Sequence, residues 1–162
     1  MNKIAYFDMD ETLLTDATWN GEVILNPTAW EMVGMCTRHG YDVRVITMST
    51  RPRALEMERR HFAGVFSEII ARGDFTDTET TGIYGGYYFT AKEHDVAPKS
   101  ILIDNEAWGD RHSGNLKLKA AYLGIDESRM FDFRFDYLTF TELRADVISR
   151  FDGFLERIES TF

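Results

Sequence analysis

Asp8 and Asp10 stand one residue apart at the end of an apolar run, in "IAYFDMDETLL" over residues 4–14. Packing gives no reason to place two like charges there. At close range one of them must hold a proton, or a cation must sit between them, and both arrangements are useful in catalysis. More polar residues collect after later apolar runs. "VITMSTRP" supplies Thr47, Ser49, Thr50 and Arg51, and "ILIDNEAWGD" supplies Asp104, Asn105, Glu106 and Asp110. Lys92 and Lys99 lie just before the second of these, and Thr12 follows the first aspartate pair. Three carboxylates, a hydroxyl and a lysine would then converge, and the hard oxygen ligands among them, with no cluster of cysteine or histidine, suit magnesium.

These groups can cooperate only if the elements before them end on one edge of the protein. The chain alternates strand-like and helix-like segments. "KIAYF" reads as a strand, and "TWNGEVIL" as a hairpin about Asn20-Gly21 with a type I′ turn. "NPTAWEMVGMCTRHG" has Pro27 near its start and Gly40 at its end, the usual helix punctuation. "YDVRVITM" is a second strand, and "RPRALEMERRHF" a basic helix that tolerates Pro52 in its first turn. "FSEIIA" is a short strand, "RGDFTDTETTGIYGGYY" a loop, "FTAKEHDV" a short helix and "KSILI" the fourth strand. "NLKLKAAYLG" is a helix closed by Gly124, and "RMFDFRF" a fifth strand. The last helix opens on a capping-box pattern, Thr139 and Glu142, and repeats apolar residues at helical spacing from Leu143 to Ile158. Alternating strands and helices imply a parallel sheet covered on both faces, and ligands of such sheets bind beyond the carboxyl ends of the strands. Asp8 and Asp10 lie at such an end.

Composition limits the function classes. The 162 residues are 44% hydrophobic and 28% charged, the profile of one globular domain spanning 1–162. No apolar run is long enough to cross a bilayer, so no membrane partner is expected. No secretory leader is read at the N-terminus, and the single cysteine, Cys36, is read as a small core residue. Both fit a cytoplasmic location. A net charge of −9 argues against a general coat for nucleic acid, but not against an enzyme that grips one end of a strand. An EF-hand reading of "DMDETLLTDATW" fails, because the stretch follows a strand and lacks the glycine and glutamate of that loop. The four histidines show no ligand spacing.

The order of "DMDET" after an N-terminal strand, a hydroxyl after the second strand, a lysine, and the acidic "ILIDNEAWGD" resembles the haloacid dehalogenase (HAD) superfamily of phosphatases. That resemblance implies a three-layer, Rossmann-like parallel sheet with helices on both faces. It also implies roles. Asp8 matches the nucleophile that takes up the phosphoryl group, and Asp10 the general acid and base. Asp8, the backbone carbonyl of Asp10, and Asp104 match the positions that hold Mg²⁺. The lysine that steadies the phosphoryl charge is read as Lys92, since Lys99 abuts the fourth strand at the end away from the site. "VITMSTRP" resembles the corresponding stretch of polynucleotide 3′-phosphatases, which makes Ser49 the phosphate-binding hydroxyl and Arg51 a nearby substrate-binding cation. A shifted alignment, closer to the 5′(3′)-deoxyribonucleotidases, makes it Thr47. "ARGDF" over residues 71–75 resembles a stretch of the same polynucleotide 3′-phosphatases. Glu11 and Asn105 depart from the common family residues, so Glu106 or Asp110 is a further candidate for the outer metal contacts.

Larger HAD proteins carry a cap domain. Here the gap after the first motif holds only a hairpin flap and one helix, and the gap before the lysine holds only a loop. The site is therefore expected to be open, which suits a phosphorylated nucleotide or nucleic-acid end, or a smaller substrate if the protein forms a homo-oligomer. The alternatives are a phosphatase of other phosphorylated metabolites or phosphoproteins, and a non-catalytic binding protein that kept the fold.

Overall fold

The computed structural model describes residues 3–10, 12–15, 23–75, 99–104, 119–120, 122–132 and 144–162. Its centre is strand β1 (Lys3–Phe7), whose Ile4, Ala5, Tyr6 and Phe7 are all buried. A strand reads as an unbroken apolar run, without alternation, when both its faces are covered and both its edges paired. β1 meets both conditions. It pairs in parallel with β4 (Tyr41–Ile46) on one side and with β6 (Lys99–Asp104) on the other, placing Phe7 beside Val45 and Ile103. Strand β5 (Ile69–Ile70) extends the sheet beyond β4, and β7 (Met130–Asp132) extends it beyond β6, both in parallel. The order is β5-β4-β1-β6-β7. In chain order the sheet runs outward from β1 in one direction, then returns and runs outward in the other. The reversal falls between β1 and β6, the crevice where Rossmann-like sheets bind ligands.

The two faces of the sheet bury different side chains. Ala5, Phe7, Val43, Val45, Ile101 and Ile103 share a core with helix α1 (Pro27–Arg38), helix α2 (Arg51–Met57) and the last helix α4 (Arg144–Glu159). Ile4, Tyr6, Ile46 and Leu102 face the other way, onto Tyr122, Leu123 and Ile125. Residues 119–120 and 122–123 are helical, and Gly124 ends them with a φ of 64°. α1 starts where Pro27 and the Asn26 cap lead: the Asn26 carboxamide oxygen accepts the Thr28 N–H at 3.1 Å. α4 buries Val147, Phe151, Phe154, Leu155 and Ile158 at the spacing seen in the sequence. Among the described residues no helix is long and apolar enough to cross a membrane.

Three local features differ from the sequence expectation. The basic helix does not run straight to Phe62. It leaves α-geometry after Met57 and widens into a π-turn over Glu58–Phe62, closed by the left-handed Ala63. The wider turn lets Phe62 reach the core, where its ring lies 5.9 Å from Trp30 and 5.3 Å from Phe66. The loop expected at "RGDF" begins as a short helix, α3 (Arg72–Phe75). The Asp74 carboxylate accepts the Ala71 N–H at 2.8 Å and so caps that turn from within. The hairpin is present, but its first strand is β2 (Leu14–Thr15), earlier than expected, paired antiparallel with β3 (Ile24–Leu25). The Asn20-Gly21 turn, the expected helix in "FTAKEHDV" and the Thr139–Glu142 cap lie outside the described residues.

Candidate active site

Asp8 and Asp104 come together because β1 and β6 are parallel neighbours that end in step. Asp8 N–H donates to the Ile103 carbonyl at 2.9 Å, which carries the pairing one residue beyond Phe7. Each aspartate is 8% exposed. Between them sits Lys119, itself 3% exposed. Its Nζ donates to Asp8 Oδ1 at 2.7 Å and to Asp104 Oδ2 at 2.9 Å. The second Asp8 oxygen accepts the Thr12 hydroxyl at 3.0 Å. Thr12 is placed by a tight turn in which the N–H groups of Thr12, Leu13 and Leu14 all converge on the Met9 carbonyl.

The electrostatics of this group follow from its burial. Among the described residues, two carboxylates and one ammonium leave one negative charge in excess in a water-poor place. Burial, and next the Asp104 charge, push the Asp8 carboxyl up to about 7 against the opposing pull of Lys119. Burial works against the Lys119 ammonium, yet the charges and hydrogen bonds of Asp104 and Asp8 outweigh it and hold its pKa above the ordinary lysine value. The pair therefore has room for one more positive charge, either a proton or a cation.

Whether that cation can be a metal depends on the donors. Asp8 and Asp104 offer hard oxygens, and Mg²⁺ is commonly held by one or two carboxylates, waters and substrate phosphate. The donor chemistry fits. Among the described residues no group of three or more His, Cys, Asp or Glu side chains gathers around one point. Asn105, Glu106 and Asp110 lie outside the described residues.

The Asp10 side chain is half exposed. Arg53, in the first turn of α2, grips it with both arms: Nη1 to Oδ2 and Nη2 to Oδ1, each at 2.9 Å. Nη1 also donates to Ser49 Oγ at 3.1 Å. Ser49 and Thr47 play different parts in the loop after β4. Thr47 Oγ1 accepts the Ser49 N–H at 3.0 Å, whereas Ser49 Oγ is the hydroxyl joined to Asp10 through Arg53. Arg51, two residues earlier in the same turn of α2, pairs with Asp74. Arg72 holds the same loop from below, its Nε donating to the Met48 carbonyl at 2.6 Å and its N–H to the Ser49 carbonyl at 3.0 Å. The "ARGDF" stretch thus braces the loop that carries Ser49.

The structure brings together Asp8, Thr12 and Asp104 in one cluster, and Asp10 and Ser49 in a second beside it. Arg51 is drawn to Asp74. Lys99 sits at the opposite end of β6, its Nζ 4.9 Å over the Phe162 ring. Lys92 lies outside the described residues. The lysine that meets the aspartates among the described residues is Lys119, which follows the fourth strand rather than preceding it. A signal for it existed: Lys119, Tyr122 and Leu123 share one helical face at spacings of three and four, and the last two are core residues. Arg53 was legible only as part of a basic helix.

No protein-family model matches the chain, and no curated protein does. Among solved structures it is similar to an uncharacterized protein from Listeria monocytogenes serotype 4b. The identity is 16% and the TM-score 0.43, over 64% of this chain and 67% of that one. A likeness this loose carries no functional argument, and the site itself must supply one.

Proposed function

We propose that this protein is a magnesium-dependent phosphomonoester hydrolase of the HAD type, working through a phosphoryl-aspartate on Asp8. One observation carries the proposal. A buried aspartate at the switch point of the sheet faces a second buried aspartate and a lysine, with an exposed aspartate two residues further along the chain. That set separates a nucleophile from an acid/base by environment, as a two-step hydrolysis requires.

In the first step an Asp8 oxygen attacks phosphorus, the ester P–O bond breaks, and the leaving oxygen takes a proton from Asp10. In the second, Asp10 takes a proton from water, the water oxygen attacks phosphorus, and the Asp8–phosphate bond breaks. Inorganic phosphate leaves, and Asp10 again carries its proton. Lys119 lowers the repulsion between the carboxylate and the incoming dianion, and Ser49 donates a hydrogen bond to a phosphate oxygen. Asp8, Asp104 and the Asp10 carbonyl would hold Mg²⁺, which when bound offsets the charge gathered between nucleophile and phosphate.

The short gaps in the sequence, with no room for a large cap, favour a nucleotide or a polynucleotide end as substrate. A second reading, a non-catalytic phosphate-binding protein, draws on one observation: both Asp8 oxygens already accept hydrogen bonds, from Lys119 and Thr12. Phosphate release separates the two. The wild type should release phosphate from an aryl phosphate, from a deoxynucleoside monophosphate or from a 3′-phosphorylated oligonucleotide, and should stop in excess chelator. Asp8→Asn should release none. Turnover that survives chelation, or a near-normal rate in Asp8→Asn, would show that the chemistry lies elsewhere.

A further inference from the structure

Arg53 joins two groups that the proposed mechanism needs to be free. Its fork takes both oxygens of Asp10, and one arm also reaches Ser49. While that contact stands, neither Asp10 oxygen can pass a proton to a leaving group. The contact is also accessible, because the Arg53 and Asp10 side chains are 42% and 46% exposed. An ion pair this exposed is favoured over its open form by about fivefold at most. The planar fork that matches a carboxylate matches a phosphate equally well. The hydroxyl it touches, Ser49, is the one assigned to the phosphate.

We propose that Arg53 is an exchangeable latch. It holds Asp10 in the free protein, then transfers its fork to the terminal phosphate of the substrate, which releases Asp10 to act as the acid. The proposal rests on the phosphatase reading and adds a specificity-determining residue to it. The ligand class is a phosphate monoester dianion, whose unesterified oxygens can meet Arg53 and the Asp8 side of the site at once. A phosphodiester has fewer free oxygens and less charge, and is a poorer match.

Calorimetric titration of the full-length protein with inorganic phosphate, in Mg²⁺, tests the latch without requiring turnover. Arg53→Ala should weaken phosphate binding by about tenfold to a hundredfold, the range for hydrogen bonds to a charged group. Asp10→Asn should tighten it by about twofold to fivefold, because the competing partner is gone. The same Asp10 change placed on Arg53→Ala should have a much smaller effect, which is the coupling a latch requires. With an aryl phosphate, Arg53→Ala should raise KM more than it lowers kcat. Arg53→Lys should recover only a minor part of the loss, since an ammonium has no fork.

Phosphate affinity in Arg53→Ala within twofold of wild type would overturn the latch. So would equal tightening by Asp10→Asn in both backgrounds, and so would a wild type that does not bind phosphate at millimolar concentration. Coupled phosphate binding in a wild type that hydrolyses no ester would leave the latch standing and remove the phosphatase reading.

Discussion

Lys119→Met removes the cation that, among the described residues, lies between two buried carboxylates, while keeping most of the apolar stem. Lys119 is 3% exposed, and its ammonium makes hydrogen bonds of 2.7 and 2.9 Å to Asp8 and Asp104. Removing one partner of a buried ion pair typically costs about 3–5 kcal/mol, because a charge stays buried without compensation. In a chain of this size that corresponds to a fall in Tm of roughly 6–20 °C. The loss should depend on pH. The folded-state pKa of Asp8, about 7, lies above its ordinary value. Its protonated form therefore contributes stability that is fully present below about pH 4 and is lost as pH rises through about 7. Without Lys119 the main pull against burial among the described residues is gone, and Asp8 keeps its proton to still higher pH. The stability gap between variant and wild type should be small near pH 4 and widest near pH 8. Urea denaturation in chelator, at both pH values and with m-values compared, measures it. Added Mg²⁺ should restore more stability to the variant than to the wild type, since it supplies the missing charge. Equal stability at pH 8 would refute the reasoning. A deficit of the same size at both pH values would mean that packing, not charge, is what Lys119 provides.

Thr12→Val should lower kcat by about tenfold and stability by about 1.5–3 kcal/mol, because it removes the hydroxyl that donates to Asp8 at 3.0 Å; steady-state kinetics and thermal melts read the two effects. Phe151→Ala should destabilise the protein by about 3–5 kcal/mol, because its ring is fully buried and lies 5.0 Å from Phe131 and 5.9 Å from Phe154. The aryl phosphate kcat of the folded fraction should stay near wild type, since Phe151 lies in the α4 core rather than at the strand ends.

The local code for the elements is plain in the sequence. β1 and β6 are legible because a strand covered on both faces reads as a nearly continuous apolar run, and β4 because its apolar residues alternate with Asp42 and Arg44 at the strand period of two. α1 is legible because Pro27 and Gly40 act through backbone geometry within a few residues of themselves. Asp8 and Asp104 could be named from the sequence for the same reason: each is the first carboxylate after such a run, and a parallel sheet puts all those ends on one edge. Which strands are neighbours is not a local property. The order β5-β4-β1-β6-β7 follows from how the crossovers pack on the two faces, and its β1–β6 pairing is what makes Asp8 and Asp104 partners across one crevice.

Side-chain choice among similar residues was likewise a tertiary decision. Arg51 and Arg53 stand in the same helical turn, but successive residues rotate by about 100°, so one meets Asp74 and the other meets Asp10 and Ser49. Nothing in "TRPR" says where Asp74 will arrive, because α3 comes from beyond β5. Lys119 is the sharper case. In "NLKLK" it looks like an ordinary solvated lysine. It is buried because Tyr122 and Leu123, three and four residues on, must cover Ile4, Tyr6 and Leu102. Seating those side chains on the sheet leaves the lysine no exit to water, and the two aspartates at the strand ends supply the charge that makes its burial tolerable.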